Sequence, residues 1–236
     1  MFDPIHQDQG YHRFADARAF LGMENAADVL SNLPFLVIGA MGLVLLWRSR
    51  ETRLISGDES RAYWVLFGAV MLTGVGSSYY HVAPDDARLV WDRLPIAIAF
   101  MALLSAVIAE RVNAKAGITL LWPLVVIGAA SVLYWALFDD LRPYLLLQYG
   151  SVAAIVALCV WFPSRYTRGA DVLIAVAIYA AAKVAEAFDA RIYGMGPFVS
   201  GHTLKHLMAA LAIGWLLRML YLRRTIIRPL SARPTR

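Results

Sequence analysis

Cysteine is all but missing from this chain: a single residue, Cys159, stands inside an apolar run. An intramolecular disulfide is therefore excluded, and a lone thiol in that setting behaves as a small hydrophobe facing lipid or a neighbouring helix. Charge is scarce as well, with Asp, Glu, Lys and Arg making up 17% of the residues where soluble domains carry roughly a quarter. Hydrophobic residues reach 60% and the mean hydropathy is +0.58. A soluble domain of 236 residues has no interior large enough for that surplus, so the chain needs lipid as its solvent. The first 28 residues lack the basic start and apolar stretch of a secretory signal peptide and instead hold Asp3, Asp8, Asp16 and Asp28. The first apolar helix is thus expected to direct its own insertion. Internal repeats, low-complexity stretches and a second domain are missing too, as are the paired, interrupted segments of an inverted-repeat transporter.

What is present is a series of apolar runs. A spanning helix takes roughly 20 mostly apolar residues, and seven segments qualify: 30–47, 63–81, 92–109, 117–137, 143–163, 170–187 and 202–221. The expected fold class is all-α, a polytopic membrane protein of seven transmembrane helices. A polar N-terminal segment (1–28) precedes the transmembrane domain (29–221), and a basic cytoplasmic tail (222–236) follows it. Basic residues set the orientation. Arg48, Arg50, Arg53, Arg61, Arg111, Lys115, Arg165, Arg168 and the six arginines from Arg218 onward fall on one side, fourteen in all. The other side has six: Arg13, Arg18, Arg88, Arg93, Arg142 and Arg191. The positive-inside rule then puts the N-terminus outside and the C-terminus in the cytoplasm. The net charge of +5 resides in short gaps and a tail, where it meets anionic lipid headgroups; no nucleic-acid partner is expected.

Ionisable groups in membrane helices are functional candidates by default. Of five histidines, His6 and His12 lie in the polar N-terminal segment. His81 closes the second span, within Gly76-Ser77-Ser78-Tyr79-Tyr80-His81, while His202 and His206 open the seventh, within Ser200-Gly201-His202-Thr203-Leu204-Lys205-His206. Residues four apart share a helix face, so His202 and His206 can present two nitrogens to one centre. The topology brings His81 to the same depth, near the outer leaflet, together with Asp92 and Ser77. Three neutral imidazoles with an open fourth position make a catalytic zinc site, which lowers the pKa of bound water to about 7. Asp92 is the candidate to hold or deprotonate that water, and Ser77 to donate to the developing oxyanion. Two points stay open: Ser78 is adjacent to Ser77, and Asp92 also suits a helix cap or an interfacial pair with Arg93.

Taken together, Ser77-x-x-x-His81, Asp92, His202-x-x-x-His206 and the Ser31-Asn32-Leu33 stretch at the first helix resemble the alkaline ceramidase family. That family lies within a wider superfamily that includes adiponectin-type receptors and haemolysin III-like proteins. The resemblance implies a zinc-dependent amidase inside a seven-helix bundle, cleaving ceramide-like lipids to a fatty acid and a sphingoid base. His81, His202 and His206 would ligate zinc, with Asp92 and Ser77 as catalytic groups. It also implies calcium in the N-terminal segment, where Asp16, Glu24, Asn25 and Asp28 offer hard oxygen ligands, although the spacing departs from the family pattern at Asn25 and Asp28. A solvated acidic segment is the alternative there. Lys183 and Glu186, one turn apart in the sixth span, read as an internal ion pair or as a headgroup contact. The expected setting is a bacterial inner (plasma) membrane with the active site towards the outer leaflet and a ceramide-like N-acyl lipid as partner. The rival reading is a receptor-like seven-helix protein holding a structural zinc.

Overall fold

The structure is a computed structural model that describes residues 3–52 and 59–226. The 3-10 turn Gln9–His12 and the short helix α1 (Ala26–Leu30) precede the long helices α2 (Leu33–Thr52), α3 (Ser60–Val82), α4 (Asp86–Arg111), α5 (Ala114–Phe138) and α6 (Arg142–Trp161). After these come α7 (Asp171–Ala187), the short α8 (Asp189–Met195) and α9 (Gly201–Leu222). Among the described residues the only β pairings are two isolated bridges, so the all-α expectation is met. Six of these segments are long and apolar enough to cross a membrane, the first being Ala26–Arg48. The seventh expected span corresponds to α7, which has 17 residues; at 1.5 Å per residue it is about 25 Å long.

Local chemistry explains where the helices start. Asp85 accepts from the Arg88 amide at 2.7 Å and opens α4. Asn113 does the same for Ala116 at 3.0 Å in α5, and Ser200 for Thr203 at 3.0 Å in α9. α4 thus begins six residues before the apolar run that marks it in the sequence. Asp92 lies well inside the helix, and the capping reading of that residue falls to Asp85 instead.

α4 is central, packed against α3, α5 and α6, while α9 bridges α7 and α2. The contact between α6 and α7 is sparse by comparison. Small residues set the closest approaches. A Cβ on Gly76 would stand 2.0 Å from the Trp91 carbonyl oxygen of α4, and one on Gly39 would stand 2.8 Å from the Met71 amide of α3. Bundle association in lipid relies on such close backbone contact. On α5, Trp122, Val126, Leu133 and Leu137 form an exposed apolar face suited to hydrocarbon.

One end of the bundle carries the histidines and is crossed by the N-terminal segment. There the Ile5 carbonyl accepts from the Leu141 amide at 2.8 Å, and Asp139 accepts from the Gln7 amide at 3.1 Å. A hydrogen bond from Arg142 holds the neighbouring Asp140 carboxyl down at about 2. The opposite end is closed by Arg223, which pairs with Glu110 in the interior, and by the bridge between Tyr166 and Thr225.

The α3–α4 contact generates a paired prediction. Gly76→Ala has no space for its methyl and should lower stability by about 1–3 kcal/mol. Gly68→Ala, whose Cβ meets nothing within 4 Å, should leave it unchanged or slightly raised. Melting temperatures of the two variants in detergent decide the point; equal values would remove the close-packing account.

Candidate metal centre and cavity

The three histidines come together in the interior. Their ring centroids are 4.8 Å apart in every pairing, and one ligand nitrogen from each lies within 4.8 Å of the others. Among the described residues this is the one cluster of His, Cys, Asp or Glu side chains able to hold a metal. The His81 and His202 Nε2 atoms face each other at 3.3 Å. Two ligands about 2.0–2.1 Å from one tetrahedral zinc stand about 3.3–3.4 Å apart. The donor set and its spacing therefore fit zinc.

Each ring is oriented by a different device. The Nδ1 of His206 bonds the Ser31 hydroxyl at 2.8 Å, and that hydroxyl donates to the Asp28 carbonyl at 2.8 Å. Ser31 has only one hydrogen, so it must accept from His206, which leaves the His206 Nε2 lone pair free for a metal. His202 sits in the first turn of α9, where its backbone N–H donates to Asp189 at 2.7 Å. A Cβ at Gly201 would lie 2.1 Å from the Ala185 carbonyl oxygen, so glycine lets α9 begin hard against α7. The ring nitrogen Nδ1 of His81 is buried without a hydrogen-bond partner, and its ring is held by packing between Phe14 and Tyr80. Phe14 also stacks on His202, covering the centre from the N-terminal segment at 4.6 Å from each of these two rings.

Asp92 and Ser77 are both buried and both line the same cavity. The glycine preceding Ser77 allows the close approach of α3 to α4. Ser78 instead donates to the Val29 carbonyl at 3.3 Å, so of the two serines only Ser77 lines the cavity next to the histidines. That cavity has a volume of about 500 Å³. His206, Asp92 and Ser77 lie at its polar end, and Leu66, Ile155 and Leu216 line its apolar depth.

Glu186 accepts from Lys205 at 3.0 Å, from the Tyr11 hydroxyl at 3.1 Å and from Lys183. The expected Lys183–Glu186 ion pair is thus part of a larger group. Lys205 also approaches the His202 Nε2 at 2.9 Å. Its position three residues after His202 is the sequence signal for that contact.

The residues considered for calcium have other partners. Arg18 grips Asp16 with two bonds of 2.7 Å and holds its carboxyl below the usual range. Asn25, in a left-handed conformation (φ 51°) that asparagine tolerates, donates to the His81 carbonyl at 3.0 Å. Asp28 accepts from Thr203 at 2.6 Å, and Glu24 is exposed. These four side chains form no acidic cluster able to hold a metal, and calcium finds no support.

Purified protein should carry about one zinc per chain, and His81→Ala or His206→Ala should lose it. Ser31→Ala, which removes only the orienting hydroxyl, should weaken zinc binding about 10–100-fold. Chelator competition measures the difference; unchanged affinity in Ser31→Ala would contradict the assignment of the His206 ring.

No curated protein matches the chain. The family model described as Ceramidase matches residues 24–188, more than half of the sequence. The matched region holds Ser77, His81 and Asp92 but ends before α9, so His202 and His206 join the site through the geometry alone. With that match, and with a histidine centre opening on an apolar cavity, the chain belongs to the ceramidase family.

Proposed function

We propose that the protein is a zinc-dependent intramembrane amidase that hydrolyses ceramide-like lipids to a fatty acid and a sphingoid base. The observation that carries this reading is the meeting of three imidazoles, one of which, His206, joins Asp92 and Ser77 in lining a cavity with apolar walls. Zinc held by His81, His202 and His206 would supply Lewis acidity and bring the pKa of a bound water to about 7. Asp92 accepts the proton as the water oxygen bonds to the amide carbon. Ser77 donates to the carbonyl oxygen as negative charge gathers there. Asp92 then returns the proton to the nitrogen as the C–N bond breaks, releasing the amine and leaving the carboxylic acid. The long chains occupy the apolar depth. The sparse α6–α7 contact, next to cavity-lining Tyr149, Val152 and Val176, supports lateral access from the bilayer.

The same proposal makes α7 the seventh crossing. Its length of about 25 Å is short of a hydrocarbon core of about 30 Å, a mismatch that local thinning accommodates. In this reading the basic residues concentrated on the Glu110–Arg223 side would face the cytoplasm by the positive-inside rule, with the N-terminus and the histidines outside and a bacterial plasma membrane as the setting. A receptor-like protein with a structural zinc is the second reading. Structural zinc sites are closed by four protein ligands, whereas the cluster among the described residues has three, which favours the enzyme.

Purified protein should release fatty acid from N-acylsphingosine and lose this activity on chelation. His81→Ala should abolish turnover, Asp92→Asn should lower kcat about 10²–10⁴-fold, and Ser77→Ala about 10²–10³-fold. Turnover unaffected by His81→Ala would end the amidase mechanism. For orientation, an N-terminal tag should be labelled by an impermeant reagent in intact cells and a C-terminal tag only after lysis; the reverse pattern would overturn the topology.

A further inference from the structure

Arg93 follows Asp92 on α4 and lines the same cavity, yet the amidase mechanism gives it no part. Its side chain is buried, with a residue exposure of 7%. The guanidinium lies 4.2 Å from the Trp135 ring centroid, 5.1 Å from that of Tyr144 and 5.6 Å from that of Tyr11. One nitrogen, Nη2, donates to the Gln7 side-chain oxygen at 2.7 Å. The other, Nη1, is buried with no partner. Among the described residues no carboxylate lies within ion-pair distance of this cation, although its neighbour Asp92 is near enough to feel its charge. Glu186 is held by Lys183 and Lys205, Asp86 by His12 and Asp140 by Arg142. Asp8, which also borders the cavity, is exposed and turned to the Gly10 amide at 2.8 Å.

A buried guanidinium without a direct ion-pair partner is costly, and aromatic faces offset only part of that cost. An unpartnered N–H donor on a guanidinium that lines the cavity matches a ligand that brings negative charge. Lys183 and Lys205 reinforce the sign, since two ammoniums there share the single carboxylate of Glu186. The apolar depth of the cavity takes hydrocarbon, so the anion must belong to the head of the lipid, close to the amide.

We infer that Arg93 is a substrate-binding residue for a carboxylate or phosphate on the amine half of the lipid. The preferred substrates are therefore N-acyl lipids with an anionic head. This rests on the amidase reading and narrows its substrate class.

The test uses the full-length, zinc-loaded protein and three matched amides: N-palmitoyl serinol, N-palmitoyl serine and N-palmitoyl serinol phosphate. They share the scissile bond and differ in bearing no anion, a carboxylate or a phosphate. At least one anion should exceed serinol in kcat/KM by roughly tenfold or more, the worth of one charge-assisted hydrogen bond. The better of the two identifies the head. In Arg93→Gln that ratio should fall to about one, chiefly through KM, and Arg93→Lys should restore part of it. A ratio near one in the unaltered protein overturns the inference, as does a ratio that survives Arg93→Gln. If none of the amides nor N-acylsphingosine is cleaved, the amidase reading fails separately. Binding then decides the Arg93 assignment: thermal stabilisation of the chelated protein by N-palmitoyl serine or the phosphate should exceed that by serinol, and equal stabilisation refutes it.

Discussion

Neutral imidazole has one N–H and one lone pair, and three such rings turned towards a common centre cannot all be satisfied by one another. The His81 and His202 nitrogens nevertheless point together at 3.3 Å, and His206 completes a triangle with them. Lys205 reaches the His202 Nε2 at 2.9 Å, and the convergence of nitrogens from three buried rings is an arrangement that a shared cation would complete. The ends of three helices, α3, α4 and α9, are arranged around that centre. Gly76 lets α3 touch α4, and Gly201 lets α9 start against α7. Ser31, at the break between α1 and α2, turns one ring the right way.

The same end of the bundle concentrates its remaining charge. Glu186 binds two lysines and a tyrosine, while Arg93 stays among aromatic rings. Across this surface the N-terminal segment lies as a cover, with Phe14 on the histidines, Gln7 on Arg93 and Tyr11 on Glu186. Below it the cavity turns apolar. The cavity thus joins a polar, metal-competent end, covered by the N-terminal segment, to an apolar depth.

Much of this was legible in the residues because membrane helices tolerate so few polar groups. The apolar runs locate the long helices to within a few residues, except at the start of α4, where Asp85 and Asp86 add polar turns that no hydropathy reading includes. His81, His202, His206, Asp92 and Ser77 could be gathered by depth alone, since lengths and connections fix which helix ends meet. Contacts between side chains far apart in sequence were out of reach. Nothing in the pattern shows that Phe14 lies on two histidines, that Ser31 binds His206, or that Arg93 is caged by Trp135 and Tyr144. The calcium expectation finds no support for the same reason. Composition reveals oxygen donors, whereas Arg18 already neutralises Asp16 and Asn25 is spent on the end of α3.

The most direct test of the account is X-ray absorption at the zinc edge of the purified protein in detergent or lipid. Three imidazole nitrogens at about 2.0–2.1 Å and one further light oxygen scatterer are the expected first shell. A shell containing sulfur, one closed by a fourth protein ligand, or a single-histidine signal would contradict a catalytic centre built from α3 and α9.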